Sequence, residues 1–341
     1  MDADLVMVGG GLSGLVVATE VAQRGKRVLL LEQEPYLGGQ AFWSFGGLFL
    51  VDSPEQRRLG VRDSVELAFQ DWMGAAGYDR EEDYWGRRFA EAYLEFAAGE
   101  KRAWLASLGV RFFPVVGWAE RGGGLATGHG NSVPRFHIVW GTGPGLLAPF
   151  LRKVEALKAE GTLRVLLRHR VGEGLVEGGK AVGVAGVVLE EDPKPRGAPT
   201  SRRAVGGFRF LAQAGALATG GGGANRDLVR RHWPARMGRP PKRMLSGVPD
   251  HVDGSGLFLA ERAGARLVNL DRMWHSPEGV ESHTPIWTGH GIRILPGPSP
   301  LWVDATGKRL PPPLFPGFDA LETLRYLRST GFDWSWFILD L

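Results

Sequence analysis

Leu5-Val6-Met7-Val8-Gly9-Gly10-Gly11-Leu12-Ser13-Gly14 is the stretch that decides the fold. Four aliphatic residues run into a glycine-rich turn, a helical stretch follows from Ser13 to about Arg24, and Val28-Leu29-Leu30-Leu31 reads as a second buried strand closed by Glu32. A strand, Gly9-x-Gly11-x-x-Gly14, a helix and a second strand ending in an acid make a βαβ unit with the dinucleotide fingerprint in its first turn. Gly9 permits the tight turn, Gly11 lets a diphosphate approach the backbone, and Gly14, helped by Ala18 and Gly25, lets the helix pack close to the strand. The helix N-terminus offers free N–H groups and a partial positive charge to phosphates. Glu32 is placed to accept the hydroxyls of an adenosine ribose and to repel a 2′-phosphate, which favours FAD or NAD over NADP.

The next residues separate those two. Pro35-Tyr36-Leu37-Gly38-Gly39-Gln40 and Phe42-Trp43-Ser44-Phe45-Gly46-Gly47 form an extended, glycine-paired segment. An NAD domain would continue with another helix and strand. An extended segment with exposed amides suits a path beneath a longer cofactor, FAD. Glycine is abundant throughout, with 51 in 341 residues, about twice the ordinary frequency of ~7%. Much of it falls in clusters such as Gly9 to Gly11 and Gly220 to Gly223, where backbone must turn sharply or approach another group.

The remaining composition narrows the function classes. Apolar residues at 43% and charged residues at 23% are those of a folded globular chain. The absence of cysteine excludes disulfides, zinc–thiolate sites, iron–sulfur clusters and thiol nucleophiles. No His, Asp and Glu set has metal-site spacing, so no metal is expected. Met1-Asp2-Ala3-Asp4 lacks the positive start of a signal peptide, and no run reaches the ~18 apolar residues of a membrane span. The protein is therefore expected to be soluble and cytoplasmic, with no membrane partner. The net charge is +4, and arginine outnumbers lysine 33 to 8. Scarce Asn and Gln fit a thermophile, although a GC-rich genome also enriches Arg, Gly and Ala. The densest basic stretch, Arg226 to Arg243, is not part of a strong domain-level basic excess, so nucleic acid is not an expected partner.

From these motifs outward the sequence resembles the FAD-dependent dehydrogenases of the fumarate reductase and 3-ketosteroid dehydrogenase superfamily. Ala218-Thr219-Gly220-Gly221, with Gly223-Ala224-Asn225, is similar to the superfamily's A-T-G-G-x-x-x-N turn. Asp253-Gly254-x-Gly256 with Gly264-Ala265 resembles its G-D-G helix start, and Val303 to Arg309 resembles a turn of its cap domain. The resemblance implies a GR2-type, Rossmann-like α/β FAD-binding domain over 1–270. It also implies an α+β cap over 271–341, of which only the start is present. The cofactor contacts it implies are Gly9, Gly11, Ser13, Gly14, Glu32, Gln33, Gly38, Gly39, Gln40, Phe45, Gly46, Gly47, Val171, Thr219, Gly220, Gly221 and Asp253. Val171 would meet adenine through its backbone, and Asp253 the ribityl or phosphate region.

The expected chemistry is hydride transfer between flavin and a small organic substrate, such as desaturation of a carbonyl compound or its reverse. A flavin supplies the hydride chemistry, so the protein must orient the substrate and handle a proton. His275 and Arg293 are the catalytic candidates, in a segment that also holds Glu278, Glu281, His283 and His290. Two departures from the superfamily stand out. The cap turn leads to Leu310-Pro311-Pro312-Pro313-Leu314-Phe315-Pro316 instead of Asn-Glu and a catalytic arginine, and Phe318 stands near the ketosteroid dehydrogenases' tyrosine. A separate branch is expected on that ground. The chain also stops at Phe337-Ile338-Leu339-Asp340-Leu341 without the returning G-L-Y-A-x-G-E turn. That leaves open a flavin-binding chain without catalysis, and the basic stretch at 226–243 leaves open an RNA-modifying flavoprotein. No motif names the electron acceptor or the oligomeric state.

Elsewhere, residues 64–107 and 145–160 read as helical. Strands are expected over 163–169, 180–190, 203–211 and 211–217. The Pro- and charge-rich link from Glu190 to Arg203 reads as a surface excursion open to proteolysis. The loop from Thr127-Gly128-His129-Gly130-Asn131 through Pro134-Arg135-Phe136-His137 to Trp140-Gly141-Thr142-Gly143-Pro144-Gly145 reads either as a wall against flavin or substrate or as an Ω-loop with aromatic anchors.

Overall fold

A computed structural model describes residues 1–122, 130–294 and 300–339. The first unit is β1 (Ala3–Val8), α1 (Leu12–Gln23) and β2 (Val28–Leu31). An excursion follows: β3 (Gly47–Phe49), helices α2 (Pro54–Arg58), α3 (Val65–Ala76), α4 (Tyr84–Ala98) and α5 (Lys101–Ser107), then β4 (Phe112–Gly117) and β5 (Phe136–Val139). The chain returns through α6 (Thr142–Ala159) to β6 (Leu163–Leu166), β7 (His169–Glu177), β8 (Lys180–Leu189) and β9 (Ala204–Leu217). Helices α7 (Arg226–Arg231) and α8 (Ser255–Arg262) come next. The last elements are β10 (Gly279–Glu281), β11 (Gly291–Arg293), β12 (Leu301–Asp304), α9 (Ala320–Ser329) and β13 (Ser335–Ile338).

The main sheet runs β6-β2-β1-β9-β8-β7. Its first four strands are parallel, with Leu5 opposite Val28 and Ala214, and Val28 opposite Leu163. Strands in such a sheet are covered on both faces, so they read as unbroken apolar runs. Alternate residues then serve opposite cores. Leu5, Met7, Val28 and Leu30 pack under α1 and α6 with Leu15, Leu147 and Phe150. Val6, Val8, Leu29 and Leu31 face Val184, Phe208 and Phe210 from the antiparallel β7-β8-β9 meander.

Two expected strands are one. The 203–211 and 211–217 segments form the single β9, whose first half pairs with β8 and whose second half pairs with β1. The expected 163–169 strand is split by a turn, where Arg168 takes a positive φ of 58°. Residues 64–107 are three helices, as their periodicity predicts, and the 47–140 excursion has its own core around Val51, Ala68, Leu94 and Ala97. That excursion is pinned by Arg135, whose buried guanidinium lies 2.7 Å from both Asp63 and Asp71.

Beyond residue 270 the structure changes character. Two two-stranded ribbons, β10-β11 and β12-β13, accompany α9, and Trp302, Leu310, Leu314 and Leu327 form a separate small core. Among the described residues no helix is long and apolar enough to cross a membrane, and no His, Asp and Glu group could hold a metal ion.

Candidate functional site

β1 is the switch point of the parallel sheet: β2 and β6 lie to one side, β9 to the other. The turns that leave β1 and β9 therefore diverge and open a crevice at their carboxyl ends, where open α/β sheets bind ligands. A cavity of about 600 Å³ occupies that crevice, lined by Gly9 and Gly11 after β1 and by Thr219 and Gly220 after β9.

Each glycine of the first turn has a distinct steric reason. A Cβ on Gly14 would sit 1.9 Å from the Gly9 carbonyl oxygen, so α1 lies against the turn only because the side chain is missing. Gly9 has a φ of 102°, and its Cβ would meet the Ala218 carbonyl oxygen at 2.4 Å. Gly11 differs, because a Cβ there would meet no protein atom within 4 Å. The backbone at Gly11 instead faces the cavity. Gly11 is also the N-cap of α1, with no side-chain cap and no acid in the first turn. The leading amides of α1 are thus left for an anion.

Glu32 is 8% exposed at the end of β2. Its Oε2 accepts the Gly10 amide at 2.7 Å and its Oε1 the Glu34 amide at 2.9 Å. Burial pushes its carboxyl pKa up, against those two hydrogen bonds. Each carboxylate oxygen keeps a lone pair for a ligand hydroxyl. Gly38 donates its amide to the Gly10 carbonyl at 2.7 Å and bridges to Gly11. This brings the 38–47 segment alongside the first turn, but Gly39–Trp43 coils into a 3-10 helix where the sequence reading expects an extended run.

Of the expected cofactor contacts, Gly9, Gly11, Ser13, Glu32, Gln33, Gly39, Gln40, Gly46, Gly47, Val171, Thr219 and Gly220 line the cavity. Gly14, Gly38, Phe45, Gly221 and Asp253 do not line it. Gly14 and Gly38 act by close packing, and Gly221 accepts the Gly254 amide through its carbonyl. Asp253 caps the start of α8, where its Oδ1 accepts the Ser255 amide at 2.9 Å. Phe45 is 45% exposed.

The catalytic candidates stand apart from the cavity. His275 stacks on Trp233 at 5.1 Å between ring centroids, and its buried Nε2 has no hydrogen-bond partner among the described residues. Burial holds its pKa down. Arg293 pairs with Glu278 at 3.3 Å and with Glu120 at 3.7 Å. His290 comes nearer, because its ring lies on Trp287, which meets the cavity-lining Trp43 edge-on.

The 127–145 loop is not a cavity wall where it is described, and Thr127, Gly128 and His129 lie outside the described residues. Trp140 stacks on Phe113 at 3.8 Å, and Gly143 allows the Ala41 carbonyl against the first turn of α6. Three of the six arginines of 226–243 are spent internally. Arg226 bonds the Met244 and Thr288 carbonyls, Arg230 those of Pro241 and Lys242, and Arg243 pairs with Glu281.

The link between β8 and β9 is a larger departure from the sequence reading. Pro195, Arg196, Gly197 and Thr200 line the cavity. Arg168, 1% exposed, anchors the link by donating to the Gln33, Glu190 and Ser201 carbonyls and to the Thr200 hydroxyl. Gly247, Val248, His251 and Ser255 complete the far wall. Of these, only Ser255 was signalled, by its place in the Asp253-Gly254-x-Gly256 motif.

A βαβ fingerprint, a buried acid closing β2 and a switch-point cavity define a dinucleotide-binding fold of the flavoprotein kind. The sequence profile of the FAD binding domain family matches residues 4–330, and the chain belongs to that family. Its cofactor is FAD, and the open cradle at Gly11, the uncapped α1 and the lone pairs of Glu32 fit that dinucleotide. A KsdD-like steroid dehydrogenase of Mycobacterium tuberculosis is 60% identical over 342 residues, covering 100% of this chain and 60% of the relative. The chain thus spans about 60% of that relative's length. An open-conformation flavocytochrome c3 fumarate reductase superposes with a TM-score of 0.71 at 23% identity, over 99% of this chain and 52% of that one. A 3-ketosteroid-Δ4-(5α)-dehydrogenase from Rhodococcus jostii gives a TM-score of 0.63 at 22% identity, over 92% and 62%. These two likenesses concern the fold. The thermophilic origin expected from composition gains no support from the mycobacterial relative.

Proposed function

We propose that this chain is the cofactor-binding part of an FAD-dependent oxidoreductase that desaturates a steroid-like ketone, or catalyses the reverse reaction. The observation that carries this reading is 60% identity along the whole chain to a KsdD-like steroid dehydrogenase. The switch-point cavity supplies the place for it. When bound, the flavin accepts or returns the hydride. The chain's own residues hold the cofactor: Gly11 and the α1 amides at the diphosphate, Glu32 at the adenosine ribose, Val171 at adenine, and Gly46, Gly47, Thr219 and Gly220 towards the flavin end.

In this reading residues 1–270 form the cofactor domain, and residues from 271 onward begin the substrate-side cap. His275 and Arg293 lie outside the cavity lining. A chain that holds flavin without turnover is the second reading, favoured by that displacement. The test is an absorption spectrum of the purified chain with FAD added, followed by incubation with a 3-ketosteroid and an artificial electron acceptor. Flavin uptake with ring desaturation supports the proposal, and flavin uptake without turnover moves the choice to the second reading. Failure to take up FAD overturns both.

A further inference from the structure

The cradle from Gly9 to Gly47 carries basic side chains only at Arg24, Lys26 and Arg27, around the far end of α1, and none of them lines the cavity. Glu32 and Glu34 do line it. A dinucleotide brings two further negative charges into that space, and the partial charge of one helix terminus is a modest counterweight. Lys or Arg side chains reach the cavity wall at two positions among the described residues, Arg170 and Arg196. Arg170 sits beside Val171 in β7, at the adenine end.

Arg196 is placed differently. It belongs to the link between β8 and β9, and this link is fastened to the 34–43 segment that lines the cavity. Thr200 donates to Glu34 at 3.0 Å, Arg202 pairs with Glu34 at 2.6 Å, and Tyr36 donates its hydroxyl to the Lys194 carbonyl at 3.2 Å. Gly197 lies so close to Trp43 that a Cβ would meet its ring at 2.8 Å. Arg196 reaches inward from this bridge, and its Nη1 donates to the Leu37 carbonyl at 2.8 Å. Its guanidinium carbon lies 4.8 Å from the Tyr36 ring centroid and 4.3 Å from that of Phe42. Nη1 is also 3.6 Å from where a Gly38 Cβ would be, and Gly38 is bridged to Gly11. The guanidinium is half-buried and makes no ion pair with a carboxylate of the described residues.

We propose that the Glu190–Arg203 connection is a strap along the cavity wall, and that Arg196 on it receives the diphosphate of the bound dinucleotide. The order along the cavity supports this: Val171 for the base, Glu32 for the ribose, then Gly11, with Arg196 beside the Gly38 that bridges to it. A diphosphate follows the ribose in the ligand's own covalent order. Stacking between Tyr36 and Phe42 holds the planar guanidinium in place, and the single bond to Leu37 leaves other N–H donors free for phosphate oxygens. The inference rests on the cavity being the FAD site.

The test is a binding series with the purified chain at fixed salt, using FAD, ADP and adenosine on wild type, Arg196→Gln and Arg196→Lys. The glutamine variant should lose about tenfold or more in affinity for FAD and ADP, the scale of one hydrogen bond to a charged group. Adenosine, which lacks the diphosphate, should bind both proteins alike and so reports an intact fold. The lysine variant keeps the charge and should recover part of the loss. Equal ADP and FAD affinity in wild type and the glutamine variant overturns the role of Arg196. If the glutamine variant loses adenosine as well, the lysine variant decides: wild-type adenosine binding with weakened ADP binding supports the proposal, and unchanged ADP binding refutes it. A wild-type chain that binds neither FAD nor ADP instead removes the cofactor reading on which the proposal stands.

Discussion

Gly11 and Gly14 lie three residues apart in one motif, yet the structure gives them opposite consequences on substitution. Gly11 has a φ of −72° and a ψ of −179°, a conformation open to alanine, and a Cβ there meets no protein atom within 4 Å. Gly11→Ala therefore costs little in folding. Alanine is a poorer N-cap than glycine, and a stiffer unfolded chain offsets about 0.4–1 kcal/mol of that loss. The net is within about 1 kcal/mol, so Tm should stay within about 3 °C of wild type. The new methyl stands about 1.5 Å from Cα, in the cavity. A phosphate in contact with Gly11 must back away, weakening its bonds to the first amides of α1. Losing one or two charge-assisted bonds of about 1.5–3 kcal/mol each predicts FAD binding weakened about tenfold or more. Gly14→Ala drives a methyl to 1.9 Å from the Gly9 carbonyl oxygen. Helix α1 must move off β1, at a cost of about 1–3 kcal/mol, and Tm falls by several degrees. The assay is a flavin-fluorescence titration beside a circular-dichroism melt of each variant. Wild-type FAD affinity in Gly11→Ala, or equal destabilisation of both variants, would refute the steric reasoning.

Two further outcomes follow from buried cations. Arg168→Met strands the Gln33, Glu190 and Ser201 carbonyls and the Thr200 hydroxyl, which should cost about 3 kcal/mol or more. Limited proteolysis should then cut within 190–203 faster than in wild type, and unchanged cleavage would show that Arg168 does not anchor the strap. Lys101 is 7% exposed, and burial holds its pKa down to about 8 from 10.5. Between those values the unfolded chain carries a proton that the native chain has lost, so stability rises with pH across that window. Denaturant midpoints of wild type and Lys101→Met, compared from pH 7.5 to 10.5, should show this rise in wild type only.

The sequence by itself determined β1, α1, β2, Glu32 and the turn at Thr219-Gly220, because each is written within a few residues. An apolar run makes a covered strand, glycine spacing makes a tight turn and an open helix end, and an acid closes a strand. The family followed from those same short motifs. Only the tertiary structure decided what approaches the cradle from a distance. Arg196 is 159 residues from the Leu37 carbonyl it bonds, and its own surroundings of Pro, Lys and Gly read as an ordinary exposed link. His275 and Arg293 read as a site because titratable residues cluster along the chain, whereas folding sends one to Trp233 and the other to Glu278 and Glu120. Gly143, in a stretch that reads equally as a ligand wall or an Ω-loop, serves the packing of α6 against Ala41. Local stereochemistry is written in neighbouring residues, but the closure of a cavity depends on which distant surfaces pack together.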